Sequence, residues 1–146
     1  MFLSKSCVYG LRAVLYVALK GDGGYISIRK ISDELNISFH FLTKILQKLT
    51  QNEILNSFRG PYGGISLAKS ARDITLLDIV GTIDGEKIFE DCLIGLSACD
   101  EKNPCPLHDS WTTYRDKIKD EFANTTVHDL VRNIKKSNLR LSETNS

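Results

Sequence analysis

The chain has 146 residues, of which 42% are hydrophobic and 25% charged, and these are the proportions of a globular domain rather than of a disordered or fibrous chain. Its length excludes two full enzyme domains, and no apolar run approaches the roughly 18 residues that a membrane span needs. The formal net charge of +1 hides an asymmetry, because residues 1–75 carry ten Lys and Arg against five Asp and Glu, whereas residues 76–146 carry nine against thirteen. The basic half favours a polyanionic partner, with chance scatter of charge as the alternative.

Three helices are predicted in the first third of the chain. Apolar residues at three- and four-residue steps predict a helix over residues 5–20, which the glycines that follow it end. Ser27 is a suitable N-cap for a second helix over residues 28–35, and Ser38 for a third helix that runs to about Gln51. Two short helices joined by a tight turn predict a helix-turn-helix.

A β-hairpin is predicted directly after the third helix. Residues 54–58 and 65–67 flank a glycine-rich tip at residues 59–64. A helix-turn-helix followed by a hairpin is a winged helix, and a further helix over residues 74–83 closes this domain near residue 84.

The rest of the chain is predicted to be a loop and two helices. Residues 85–105 form a linker and a cysteine-bearing loop, and Pro106 is well placed as the first residue of a long helix. The apolar stripe of that helix is longer than one small domain needs, and it consists of Leu107, Trp111, Tyr114, Ile118, Phe122 and Thr125. Thr126 is a suitable cap for a last short helix, so residues 106–135 are helical and residues 136–146 are expected to be a disordered tail. The predicted fold class is therefore mainly α with a small β-hairpin wing, in which a winged helix-turn-helix domain over residues 1–84 precedes a long helix.

The polar face of the third helix carries side chains that can hydrogen-bond bases or phosphates. Opposite the buried stripe lie His40, Lys44, Gln47 and Gln51, flanked by Thr43 and Lys48. A plain solvated helix face would look the same, but the helix-turn-helix, the wing and the basic domain together favour DNA binding. Arg59 on the narrow wing tip can enter a minor groove or lie along phosphates. The predicted DNA-binding residues are Ser38, His40, Thr43, Lys44, Gln47, Lys48, Arg59, Gly60 and Tyr62.

Three of the four cysteines lie close to one another and to a histidine. Cys92, Cys99, Cys105 and His108 fall within 17 residues, and such donors can converge on Zn²⁺ or an iron–sulfur cluster. The spacing differs from the close cysteine pairs of zinc fingers, which disfavours zinc. A thiol–disulfide switch and chemically inert cysteines are also compatible with this spacing. Cys7 stands alone on the first helix and is expected to be a small buried residue.

No catalytic pattern is recognisable in this sequence. It has no Ser/His/Asp arrangement, no paired carboxylates in an apolar setting and no cofactor fingerprint, so neither an enzymatic role nor a small-molecule substrate is expected. The first residues lack a long apolar segment with a cleavage site, which predicts a cytoplasmic protein without membrane contact.

Four stretches of the sequence resemble the winged-helix bacterial transcription regulators of the IscR/NsrR type, the Rrf2 family. They are residues 9–19, residues 37–49, the Arg-Gly-Pro-x-Gly-Gly motif at residues 59–64, and the cysteine block that ends in Cys-Pro-Leu-His at residues 105–108 and is followed by Trp111. The resemblance spans about residues 1–135.

This resemblance implies a homodimer joined by the long helix over residues 106–124, with contacts from Trp111, Tyr114, Ile118 and Phe122. The dimer would bind a pseudo-palindromic operator of double-stranded DNA with its two recognition helices. The resemblance also implies an iron–sulfur cluster held by Cys92, Cys99 and Cys105, and His108 as a further ligand favours a 2Fe–2S over a 4Fe–4S cluster.

The function that we expect is that of a transcriptional regulator, a repressor, whose operator affinity depends on this cluster. The cluster would sense iron–sulfur status or oxidative or nitrosative stress. The alternative is a zinc-binding or thiol-switch regulator without a cluster, which acts through DNA or a protein partner.

Overall fold

A computed structural model describes residues 2–141, and within them it shows six α-helices and one two-stranded antiparallel sheet. In chain order the elements are α1 (Lys5–Lys20), α2 (Ile28–Leu35), α3 (Phe39–Gln51), β1 (Leu55–Phe58), β2 (Gly64–Leu67), α4 (Leu76–Ile83), α5 (His108–Asn124) and α6 (Val127–Ser137). The fold class predicted from the sequence is thus confirmed. Two short 3-10 turns, Ala71–Asp73 and Lys87–Phe89, were not predicted.

Serine caps and an asparagine turn define the helix-turn-helix. The side chain of Ser27 accepts a hydrogen bond from the backbone N–H of Lys30 at the start of α2. Asn36 ends α2 in the left-handed conformation with φ +53°, which Asn tolerates better than most residues. Ser38 occupies the N-cap position of α3, but its side chain makes no capping hydrogen bond. The turn therefore depends on Asn36 more than on Ser38.

The wing is joined to the body of the domain at Gly64. In the hairpin Leu55 pairs with Leu67 and Phe58 with Gly64. Gly64 has φ +151°, and a Cβ at this position would collide with the main chain of Ile26. Only glycine allows this approach, which lets Ile26 and Ile65 exchange backbone hydrogen bonds of 2.9 and 2.7 Å.

The main hydrophobic core is built around α1 and includes the last helix of the chain. Val14 of α1, Leu42 of α3 and Ile65 of β2 are almost fully buried in it. Val127 and Val131 of α6, exposed by 0% and 9%, belong to the same cluster. α6 therefore packs on the core of the winged domain.

A second, smaller core connects α1 and α4 to α5. Its buried residues are Cys7, Val80 and Phe89, and Ile118 and Phe122 of α5 pack against them. Cys7 is fully buried, as its sequence context predicts. Burial, together with the neighbouring Asp84 carboxylate, raises the pKa of the Cys7 thiol to about 12.

Three helix boundaries differ from the sequence-based prediction. α4 begins at Leu76 rather than at residue 74, because Thr75 and Asp78 form a capping box. α5 begins at His108, two residues after Pro106.

At the other end, α6 continues to Ser137, inside the predicted tail, and Leu141 packs against the main core. Residues 142–146 of that predicted tail lie outside the described residues. Within residues 2–141 no helix combines the length and hydrophobicity needed to cross a membrane.

Candidate functional site

A groove of about 430 Å³ lies between α3 and the wing. Thr43, Gln47 and Gln51 line it from α3, and Ser57 and Arg59 line it from the wing. Its walls thus offer hydroxyl, amide and guanidinium groups, which can hydrogen-bond to base edges and phosphates.

The predicted DNA-binding residues are exposed, with one exception. Thr43 is half-buried, and its hydroxyl donates to the carbonyl of Phe39 at 2.7 Å. At the wing tip Tyr62 is 91% exposed. The exposed members of the set are Ser38, His40, Lys44, Gln47, Lys48, Arg59, Gly60 and Tyr62.

Lys44 and Lys48 lie on the side of α3 that faces away from the wing. They border a second depression of about 320 Å³ together with Ser4 and Asp84. The Lys48 Nζ donates to the carbonyl of Ile83 at the end of α4, at 3.1 Å. An ammonium group at a helix C-terminus is favourable, so Lys48 connects α3 to α4 in addition to any contact with a phosphate.

Sequence reasoning missed three side chains at this surface. The guanidinium of Arg29 in α2 lies 4.1 Å from the centre of the Phe39 ring, which is a cation–π contact at the start of α3. Thr50 and Ser57 line the groove. Ser57 had no clear sequence signal, because burial does not alternate along β1, and Arg29 depends on how α2 packs against α3.

The four predicted metal-binding side chains are brought together as two pairs. The Cys99 Sγ lies 3.4 Å from the His108 Nδ1. Cys92 lies near Cys105, whose side chain helps to lower the pKa of the Cys92 thiol. Across residues 2–141, no group of three or more His, Cys, Asp and Glu side chains is arranged to hold one metal ion.

Backbone N–H groups of the residues that follow Cys92 interact with its sulfur. The N–H of Leu96 is the main cause that holds the pKa of the Cys92 thiol below its ordinary value of 9.0, with further lowering by Ile94, Cys105 and Gly95. Burial acts in the opposite direction, since Cys92 is only 7% exposed. A sulfur in this environment is stabilised as a thiolate, which is the form that binds metals and attacks disulfides.

The three cysteines and the histidine are chemically suitable ligands for an iron–sulfur cluster. Thiolates are the usual ligands of such clusters, and imidazole replaces thiolate in some of them. The backbone N–H groups around Cys92 are also suitable, because hydrogen bonds to the sulfurs tune these centres.

Of the four residues predicted at a dimer contact, three make contacts within their own chain and one is exposed. Tyr114 is 62% exposed. Ile118 and Phe122 pack against the second core, and the Trp111 Nε1 donates to the carbonyl of Asp91 at 2.9 Å. Among the described residues, α5 contributes none that is fully buried.

Comparisons with known proteins agree with this fold. The sequence profile of the Rrf2 family, described as an iron-dependent transcriptional regulator, matches residues 3–133. A protein described as an HTH-type transcriptional regulator from Aquifex aeolicus is 34% identical over 141 residues, which are 95% of this chain and 96% of that protein. The HTH-type transcriptional regulator IscR of Pectobacterium carotovorum is 32% identical over 133 residues, which are 91% and 80% of the two chains.

A solved structure shows the same similarity. CymR, described as the global cysteine regulator of B. subtilis, matches with a TM-score of 0.75 at 27% identity. The match covers 89% of this chain and 95% of that one.

Proposed function

Since this chain belongs to the Rrf2 family of transcriptional regulators, we propose that it binds a pseudo-palindromic DNA operator as a homodimer and that an iron–sulfur cluster controls its affinity. The observation that carries the proposal is the position of the cysteine loop, residues 92–108. Cys105 and His108, each paired with another cysteine, lie at the start of α5, and α5 packs against α4 beneath the DNA-binding surface.

DNA is bound by α3 and the wing. The exposed polar face of α3 enters the major groove, where His40 and Gln47 reach base edges. Arg59 at the wing contacts the phosphates or the adjacent minor groove. The net charge of residues 1–75, ten basic against five acidic side chains, adds a sequence-independent attraction to the duplex.

The cluster would be held by Cys92, Cys99, Cys105 and His108, as a 2Fe–2S rather than a 4Fe–4S centre. When bound, it supplies a redox-active iron centre that is sensitive to oxidants and to the supply of iron and sulfide. Cys105 and His108 convey the state of the loop to α5, because Cys105 lies three residues before this helix and His108 is its first residue. Lys48 then connects α4 to α3 through the Ile83 carbonyl, so that a movement of α5 reaches the DNA-binding surface.

The test is anaerobic purification followed by iron and sulfide analysis and by measurement of operator affinity. We expect a coloured protein with equal iron and sulfide, whose affinity changes on exposure to oxidant. Replacing Cys92, Cys99 and Cys105 together by Ala should abolish the colour and the response to oxidant, whereas Cys7→Ala should preserve both. If the triple variant responds to oxidant as the wild type does, control by the cluster is wrong.

DNA contacts are tested by the salt dependence of binding. Lys44→Gln and Arg59→Gln should each weaken binding and reduce the salt slope by about one phosphate contact. Lys69→Gln makes the same charge change at the opposite end of the hairpin and serves as the control. Equal slopes for all three variants would contradict the proposed surface.

A thiol switch is the second candidate, and the contact between Cys92 and Cys105 favours it. The Cys92 thiolate could attack a peroxide, which is reduced to water as a sulfenic acid forms, and Cys105 would displace a second water to form a disulfide. The similar structure of CymR is described as that of a cysteine regulator. A colourless protein that forms a Cys92–Cys105 disulfide would support this candidate, and a colourless protein with stoichiometric zinc would support a zinc site.

A further inference from the structure

Residues 86–91 run along one side of α5 and lead directly into the cysteine loop; we refer to them as the strap. Glu86 lies 3.9 Å from the Lys119 Nζ. Further along, the Arg115 Nη1 donates to the carbonyl of Glu90 at 3.1 Å, and the Trp111 Nε1 donates to the carbonyl of Asp91 at 2.9 Å. The strap thus follows α5 towards its N-terminus, and its contacts are spaced by four residues, or about one helical turn.

We propose that Trp111 and Arg115 are positioning residues that hold the end of the strap against α5 and thereby place Cys92 beside Cys105. Both donate to main-chain carbonyls, so they fix the path of the backbone. Asp91 directly precedes Cys92, and Cys105 lies just before α5. The first two turns of α5 consequently hold both ends of the cysteine loop.

Arg115 is in an unusual environment for a residue with only a structural role. Its side chain is 13% exposed, and its Nε has no hydrogen-bond partner among the described residues, although an Asp116 carboxylate oxygen lies 3.6 Å away. Placing a guanidinium under a loop has a desolvation cost, which the bond to the Glu90 carbonyl offsets only in part. The strap is therefore held by a contact that a modest rearrangement can release.

The middle of the strap is anchored in the second core through Phe89. Phe89 is 3% exposed and packs edge-to-face on Phe122, with 5.6 Å between the ring centres. Burial of this ring is much more stabilising than the exposed Glu86–Lys119 ion pair. Phe89 therefore anchors the middle of the strap, and Trp111 and Arg115 hold the end that leads to Cys92.

The expected effect of the strap on operator affinity rests on the proposed function. The effect of the strap on the position of Cys92 can be tested in the ligand-free protein. Trp111→Phe keeps the aromatic ring and removes the N–H donor. Arg115→Met keeps most of the side-chain volume and removes the guanidinium, while Arg115→Lys retains a donor. Lys117→Gln, on the exposed side of the same helix, is the control.

The first measurement is the rate at which iodoacetamide alkylates Cys92, followed by mass spectrometry with Cys99 as the internal reference. In the wild type Cys92 is 7% exposed, so alkylation requires local opening. We expect Trp111→Phe and Arg115→Met to accelerate it by about fivefold each, which corresponds to the loss of one hydrogen bond. Arg115→Lys should restore part of the protection, and Lys117→Gln should leave the rate unchanged.

The second measurement is the ratio of operator affinities before and after oxidant treatment of anaerobically purified protein. Trp111→Phe should reduce this ratio, and the reduction should disappear in the Cys92→Ala background, because Trp111 acts through Cys92. Unchanged alkylation of Cys92 in both Trp111→Phe and Arg115→Met, in protein that melts cooperatively, would overturn the inference. Faster alkylation with no response to oxidant in the wild type would instead support the strap and reject the proposed function.

Discussion

The candidate DNA-binding surface and the cysteine loop of this protein are stabilised by different forces. α3 buries Leu42, Ile45, Leu46 and Leu49 in the main core. The loop instead exposes Leu93, Ile94 and Leu96 by 54%, 50% and 53%, and α5, which follows it, has no fully buried residue within the described chain. Hydrophobic burial fixes the first region, whereas a few hydrogen bonds to main-chain carbonyls fix the second, so the second can rearrange at a much lower free-energy cost.

The largest effect that tests this contrast is expected from a pair of leucine truncations. Leu46→Ala, in the core beneath α3, should lower the free energy of unfolding by about 2–5 kcal/mol. Leu96→Ala, in the exposed loop, should change it by less than about 0.5 kcal/mol. Urea unfolding followed by circular dichroism measures both, and similar losses for the two variants would contradict the contrast.

A pair of helical glycines tests how tightly the winged domain is packed. A Cβ on Gly10 of α1 would lie 3.0 Å from the Ile45 Cγ2 and closer still to the Ile83 Cδ1, so we expect Gly10→Ala to cost about 1–3 kcal/mol. At Gly81 of α4 the same Cβ would meet only the Glu86 Cγ, at 3.7 Å. Gly81→Ala should therefore be neutral or stabilise by up to about 1 kcal/mol. Thermal melts compare the two variants, and a loss of stability at Gly81 equal to that at Gly10 would show that the close contacts of the added Cβ do not explain the loss at Gly10.

Cys7 provides a test at the junction of the two regions, where burial raises the pKa of its thiol from 9.0 to about 12. Below pH 9 the thiol is protonated in both the folded and the unfolded chain, and its contribution to stability is fully present. Above pH 9 the unfolded chain loses this proton first, so stability falls by as much as about 1.4 kcal/mol per pH unit as the pH rises towards 12. Cys7→Ala should lack this slope when unfolding is measured at pH 8 and pH 10, and an identical slope in both proteins would rule out Cys7 as its source.

The smallest effect is expected where α6 joins the winged domain. Thr126 caps α6 in a capping box with Asp129, and its backbone N–H bond to Asp129 is the main cause that lowers the pKa of that carboxyl. Thr126→Ala should lower the free energy of unfolding by about 1 kcal/mol and speed the hydrogen exchange of α6 amides. Thr113→Ala removes only an exposed hydroxyl that bonds to the Asp109 carbonyl, and it should cost less. Hydrogen exchange of α6 amides distinguishes the two variants, and equal exchange would argue against the cap.

The N-terminal half of the fold could be predicted because its signals are local. α1 and α2 have the predicted bounds, since the period of apolar residues, the serine caps and the terminal glycines all act within one or two helical turns. The comparisons confirm the predicted family, and with it a role in transcription regulation. The individual DNA-binding and metal-binding residues stay predictions, which the variants above are designed to test.

The candidate site was less predictable because it depends on distant partners. Lys48 belongs to the polar face of α3 in the sequence pattern, but its ammonium reaches the Ile83 carbonyl on another helix. Arg29 carries no local signal, and it lies on Phe39 only because α2 and α3 cross there. The hydrogen bond from Trp111 to the Asp91 carbonyl, next to Cys92, likewise has no sequence signature, because its acceptor belongs to the main chain.

The sequence by itself determined which residues form helices and which face of each helix is apolar, because periodicity encodes both. Only the tertiary structure decided what those faces pack against. Part of the apolar stripe of α5 packs within its own chain, where Phe122 contacts Phe89. α6 packs on the core around α1. The physical reason is that the hydrophobic effect is non-directional: it requires that an apolar face be covered but does not specify by which surface.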